Sequence, residues 1–231
     1  MALNTIMAEE LGQFADILEK ADDFDAALQK LVCDTLKAHQ RIIFNGNGYS
    51  DAWREEAAQR GLSNLSSTAE ALSAYVAEKN VALVTKRGIF SEEEFRARHE
   101  IYMEAYCKVI NIEARTTLDM AIQQILPAAV HYSSDLALAV QRKKELGIQA
   151  KAEASLLARL TEHTDSLYAA CEQLRTNLEN VPKEDTQAAM FYFRNTIVTD
   201  MTTIRSHADA LEQLTDKTYW PYPTYSDILF Y

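Results

Sequence analysis

Apolar residues recur at three- and four-residue spacing in three long runs, and this periodicity restricts the fold more than any other feature of the chain. The first run is Leu118, Ile122, Ile125, Ala129, Tyr132, Leu136 and Val140. The second is Leu156, Leu160, Thr164, Leu167, Cys171, Leu174 and Leu178, and the third is Met190, Phe193, Ile197, Met201, Ile204, Ala208, Leu211 and Leu214. Such spacing places the apolar side chains on one side of an α-helix. Gly147 and Val181-Pro182 mark the stops between runs. Long amphipathic helices with short connections bury their stripes by folding back on one another, so the region from about Ser91 onward predicts an antiparallel helical bundle. Pro127 interrupts the first run. A proline inside a helix lacks the amide proton and crowds the preceding turn, so a kink or break is expected there.

The remaining chain reads as shorter helices. Only six glycines and four prolines punctuate 231 residues. One helix is expected from about Thr5 to Leu18, and a second follows Asp22-Asp23 and ends near His39. The apolar run Ile42-Ile43-Phe44 suits a short strand, and Asn45-Gly46-Asn47-Gly48 suits tight turns that need positive φ. Ser50 or Asp51 caps a further helix that Gly61 ends. Ser67 with Glu70, and Ser91 with Glu94, have the spacing of capping boxes. The fold class is therefore mainly α: short helices and a short strand, then a bundle of long helices.

The last fifteen residues, 217–231, differ from an ordinary polar terminus. They hold two of the four prolines, one of the two tryptophans and four of the eleven tyrosines. Each aromatic can bury about 150–250 Å², and an undocked tail of this kind exposes a larger apolar patch than soluble monomers normally show. Tyr219, Trp220, Pro221, Tyr222, Pro223, Tyr225, Leu229 and Phe230 are therefore candidate docking residues, set against their own domain or a neighbouring subunit.

With 48% hydrophobic and 25% charged residues the composition is that of an ordinary globular protein. The formal charge of −11 argues against nucleic acid or an anionic membrane as partner, because phosphate binding needs a concentrated basic surface. The tight basic cluster Arg142-Lys143-Lys144 sits late in an expected helix, where cations suit the macrodipole. Cys33, Cys107 and Cys171 lie far apart and are odd in number, which fits a reducing cytoplasm. No export signal or membrane span is expected.

Signals for chemistry are sparse. His39, His99, His131, His163 and His207 are scattered, with no second histidine at helical spacing. His99 with Glu100 and Glu104 offers ligand types on one helix, but a di-metal bundle centre needs two Glu-x-x-His pairs. The Asn45–Gly48 loop lacks the Lys-Ser/Thr of a P-loop and the spacing of a dinucleotide site. Glu92-Glu93-Glu94 suits the positive end of a helix. No catalytic, cofactor-binding or metal residue is assigned.

Several blocks taken together resemble type III glutamine synthetase. They are Leu3-Asn4-Thr5-Ile6-Met7-Ala8-Glu9-Glu10, Arg41-Ile42-Ile43-Phe44-Asn45-Gly46-Asn47-Gly48-Tyr49-Ser50-Asp51 and Ala77-Glu78-Lys79-Asn80-Val81. Val109-Ile110-Asn111-Ile112-Glu113-Ala114, Gln124-Ile125-Leu126-Pro127-Ala128 and Tyr219-Trp220-Pro221-Tyr222-Pro223-Thr224-Tyr225-Ser226-Asp227 complete the set. The resemblance covers the C-terminal end of a longer polypeptide. It implies that residues 1–106 close the catalytic domain and that residues 107–231 form the C-terminal helical extension of type III enzymes. It also implies an enzyme that makes glutamine from glutamate, ammonia and ATP with Mg or Mn, assembled as stacked hexameric rings. The metal-binding carboxylates and phosphate-binding arginines of that family lie upstream of the segment matching Leu3. On the resemblance this chain is structural and inactive alone, with the rest of the synthetase polypeptide and neighbouring subunits as partners. The alternative is a free-standing helical scaffold or interaction module, to which Met1 lends support; against it, Leu3–Leu18 opens as an apolar helix without an upstream cap.

Overall fold

The computed structural model describes residues 2–223 and 225–229. Among these residues the regular structure is helical, and the chain divides into two compact units, residues 1–102 and 103–231.

The first unit holds α1 (Ala2–Leu18), α2 (Phe24–Ala38), a 3₁₀ turn (Gln40–Ile42), α3 (Asp51–Gln59), α4 (Thr68–Tyr75), α5 (Glu78–Lys86) and the start of α6 (Glu92–Met120). Local chemistry fixes many of the starts. Asp23 accepts from the Ala26 amide ahead of α2, and Ser50 accepts from the Trp53 amide ahead of α3. At Ser67 the capping box forms in both directions: the Glu70 amide donates to the Ser67 hydroxyl, and the Ser67 amide donates to the Glu70 carboxylate. Ser91 and Glu94 repeat it at α6. Replacing such a cap with alanine costs about 1 kcal/mol. The unit's core is small: Val81, Val84 and Phe95, with Tyr75 stacked on Phe95 at 4.4 Å and Phe90 beside them. Glu9 ties α1 to α5 through Lys86 Nζ and Arg87 Nε, each at 2.6 Å. Gly12 makes room for this contact, since a Cβ there would meet the Arg87 guanidinium at 2.5 Å.

Two sequence expectations fail in this unit. Residues 42–44 form no strand. The Arg60 guanidinium instead takes the Arg41 and Ile43 carbonyls at 3.1 and 2.8 Å, and the Phe44 ring stacks on Trp53 at 4.3 Å, so a side chain replaces the partner strand. Nor do Gly46 and Gly48 adopt positive φ, which among the described residues occurs at Gly61, Gly88 and Gly147. The loop turns on Asn47, whose side-chain oxygen accepts from the Tyr49 amide and whose carbonyl accepts from the Ser50 hydroxyl.

The second unit contains the rest of α6, a π-helical turn (Ala121–Ile125), α7 (Leu126–Glu145), α8 (Lys151–Glu179), α9 (Thr186–Tyr192), a second π turn (Phe193–Ile197), α10 (Val198–Leu214) and the short α11 (Tyr225–Leu229). Helix α8 packs against both α7 and α10. The pairs His163–His207 and Asn177–Asp200 run in opposite senses along α8 and α10, so these two helices are antiparallel. Lys143 pairs with Glu153 across the turn between α7 and α8, where Gly147 takes φ +72° and lets the Ile148 amide reach the Lys143 carbonyl at 2.8 Å.

Leu160, Leu167, Cys171 and Leu174 of α8 meet Ile125, Ala129, Ile197, Ile204 and Leu211 in one core. Each fully buried aliphatic side chain contributes about 1.5–3 kcal/mol. Pro127 neither breaks nor ends the helical path. The π turn directly before it widens the backbone and accommodates the missing amide, and helix resumes with Pro127 in its first turn.

Candidate functional site

The C-terminal segment follows α10 within the second unit. Thr215 ends the helix in an extended conformation. Asp216 then turns the chain: its carboxylate accepts from the Thr218 amide at 2.8 Å and hydroxyl at 2.6 Å, and its carbonyl accepts from the Tyr219 and Trp220 amides. The Thr218 hydroxyl bond holds the Asp216 carboxyl below its ordinary pKa. Lys217 pairs with Asp227 and so links the turn to α11.

Tyr219, Trp220 and Tyr222 are half-buried. The Tyr219 hydroxyl donates to Asp135 of α7, and its ring lies 5.2 Å from Tyr132. That bond to a carboxylate raises the Tyr219 pKa. Trp220 and Tyr222 pack on the bundle core and meet edge to face at 6.4 Å. Burial raises the Tyr222 pKa, the Asp119 carboxylate adds to the rise, and the phenol oxygen finds no hydrogen-bond partner among the described residues. A groove of about 390 Å³ lies alongside, lined among others by Met120, Ala121, Ile125, Ile204, Trp220 and Tyr222.

The other candidate docking residues stand differently. Pro221, Pro223 and Leu229 are exposed. Tyr225 begins α11, and Phe230 lies outside the described residues. The sequence does not mark Tyr132 and Asp135 as partners for the tail. Tyr132 belongs to the α7 stripe, but an isolated aspartate 84 positions before Tyr219 carries no sequence signal.

His99 is occupied by packing: its Nε2–H donates to the Leu72 carbonyl at 2.9 Å, and its ring lies parallel to Tyr75. Among the described residues no group of three or more His, Cys, Asp or Glu converges in a metal-binding arrangement, and no helix is long and apolar enough to cross a membrane.

A second feature belongs to the first unit. Leu3, Met7 and Leu11 on α1, and Phe24, Leu28, Val32 and Leu36 on α2, recur every four residues and are 38–78% exposed. Four-residue spacing aligns side chains on one helix face. These are two apolar stripes on neighbouring helices, left open to solvent.

Residues 27–144 match the family described as glutamine synthetase C-terminal domain. The chain is similar over 90% of its length to a glutamine synthetase of Butyrivibrio fibrisolvens, at 34% identity and covering 30% of that protein. It is similar over its whole length to a type-3 glutamine synthetase of Dictyostelium discoideum, at 34% identity, and to a glutamine synthetase of Bacteroides fragilis (strain YCH46), at 31% identity, covering 33% of each. The chain thus spans about a third of the length of the curated relatives it matches.

Proposed function

We propose that this chain, which belongs to the glutamine synthetase family through its C-terminal domain, is a structural part of an ATP-dependent glutamate–ammonia ligase and braces the catalytic body or its subunit contacts. The observation that carries this reading is the pair of open stripes on α1 and α2. Seven large apolar side chains exposed at regular spacing cost solubility in a free domain and are stabilising once covered. On this reading the cover comes from a region that the matched relatives carry beyond the segment similar to this chain, or from a neighbouring subunit. On this reading residues 1–106 close the catalytic domain and residues 107–231 form the helical extension, with Tyr219, Trp220 and Tyr222 holding its end on the bundle.

Ligation of ammonia to glutamate through an acyl phosphate needs ATP and divalent metal, held by clustered carboxylates, with cationic groups on the phosphates. The residues present do not fit those groups, because among the described residues no three metal-ligating side chains converge. On this reading the metal-binding groups come from the rest of the synthetase polypeptide, and this chain supplies none of them. Its contribution is to assembly and stiffness, in a cytoplasmic homo-oligomer of stacked rings.

The test is an assay of the purified 231-residue chain for ATP-dependent glutamine formation, beside the full-length enzyme with and without residues 219–231. The chain alone is expected to be inactive, and the deletion is expected to lower the melting temperature and weaken the oligomer. Glutamine synthesis by the chain alone overturns the reading, as does a deletion that leaves both assembly and melting unchanged.

A further inference from the structure

The groove beside the C-terminal segment has, at about 390 Å³, the size of a small-ligand site. Ala121, Ile125 and Ile204 give it buried aliphatic surface, and Trp220 and Tyr222 add two aromatic rings set edge to face at 6.4 Å. Helix α10 contributes the charged residues Arg205, Asp209 and Glu212. Arg205 Nε lies 3.5 Å from the Asp209 carboxylate, and both of those side chains are exposed. Glu212 differs from them. It is half-buried, and among the described residues it makes no hydrogen bond or ion pair. A carboxylate drawn partly out of water without a partner is costly, and this one borders an apolar groove walled by two aromatic rings.

Charge discriminates between ligands. Arg205 is compensated by Asp209, so the lining keeps one net negative charge, that of Glu212. The Asp119 carboxylate, close enough to act on the Tyr222 phenol, adds a second negative field. An anion is therefore repelled. A neutral apolar molecule would cover Glu212 and leave it without a partner, whereas a cation supplies the partner and is attracted by the electron-rich faces of Trp220 and Tyr222. The kind of cation follows from its donors. A primary ammonium carries three N–H groups that need acceptors once covered. A quaternary ammonium carries none, and its diffuse charge suits aromatic rings.

We propose that this groove binds a small quaternary ammonium with an apolar body, with Glu212 as counter-ion, Trp220 and Tyr222 against the N-methyl groups, and the aliphatic surface of Ile125 and Ile204 beneath the body. The site is formed within the second unit and does not rest on the ligase reading.

The test titrates the 231-residue chain with benzyltrimethylammonium chloride by calorimetry at physiological ionic strength, where loose association with exposed charge is screened. Saturable binding of one cation per chain is expected, with an upfield shift of the N-methyl proton resonance from the neighbouring aromatic rings. Choline should bind at least about tenfold more tightly than its uncharged isostere 3,3-dimethyl-1-butanol, and Glu212→Gln should weaken benzyltrimethylammonium binding by about tenfold, as loss of a part-buried charge contact does. Glu179→Gln, the same change of charge outside the groove, should bind like the unaltered chain. The comparison of choline with its isostere uses the unaltered chain and so does not depend on any variant folding. Absence of saturable binding, equal affinity for choline and the isostere, or undiminished affinity in folded Glu212→Gln overturns the proposal.

Discussion

Replacing Trp220 with alanine removes the largest side chain that holds the C-terminal segment on the bundle. The ring packs on the same core as Ile204 and Leu211 and meets Tyr222 edge to face. An aromatic burying about 150 Å² at about 25 cal/mol per Å² is worth about 4 kcal/mol. Trp220 is half-buried, and a chain end relaxes more freely than a core helix, so the expected loss is about 2–3 kcal/mol, below the 3–5 kcal/mol typical of fully buried tryptophans. Urea unfolding followed by far-UV circular dichroism measures it. The other tryptophan, Trp53, lies in the first unit, so its fluorescence transition should stay where it is while the bundle's transition moves to lower urea. Trp220→Phe should recover more than half of the loss. A shift below about 0.5 kcal/mol, the range of ordinary surface substitutions, would refute the view that the ring anchors the tail.

Two further expectations concern titratable groups. The hydrogen bond from Lys86, with those from Gln13 and Arg87, lowers the Glu9 pKa from 4.5 to about 2. A depressed carboxylate contributes stability that is complete above pH 4.5 and lost as pH falls towards 2; Glu9→Gln should therefore flatten that part of the acid limb when unfolding is followed through Trp53. Burial pushes the Cys171 thiol up to about 11, whereas Cys33 is exposed. A thiol reagent at pH 8 should modify Cys33 in the native chain and reach Cys171 only after unfolding, because the thiolate is the reacting form.

Much of this fold is legible in the sequence, because helix stripes and caps are local. The runs through Leu160–Leu174 and Ile197–Leu211 fall on the buried core, and Ser67 and Ser91 form the boxes their spacing implies. Features that depend on distant partners are not legible. Ile42-Ile43-Phe44 has strand propensity, but Arg60 captures two of its neighbouring carbonyls and Trp53 takes the Phe44 ring. Pro127 signals a disturbance without saying that a π turn will absorb it, and the second π turn, Phe193–Ile197, contains no proline or glycine to mark it. The Tyr219–Asp135 and His163–His207 pairs join residues whose spacing means nothing until the helices pack. The sequence marks α1 and α2 only as helices, and the structure shows that their apolar residues at four-residue spacing stay exposed.

The most direct measurement places Leu28→Asp together with Val32→Asp in a full-length glutamine synthetase that carries this segment. Both side chains are exposed in the chain by itself, so the 231-residue protein bearing the two substitutions should unfold as the unsubstituted one does. In the full-length enzyme the same changes should bury two carboxylates against the covering surface, a strongly unfavourable transfer, and both the native mass of the oligomer and glutamine synthesis should collapse. A full-length variant that assembles and makes glutamine like its parent would contradict the bracing role.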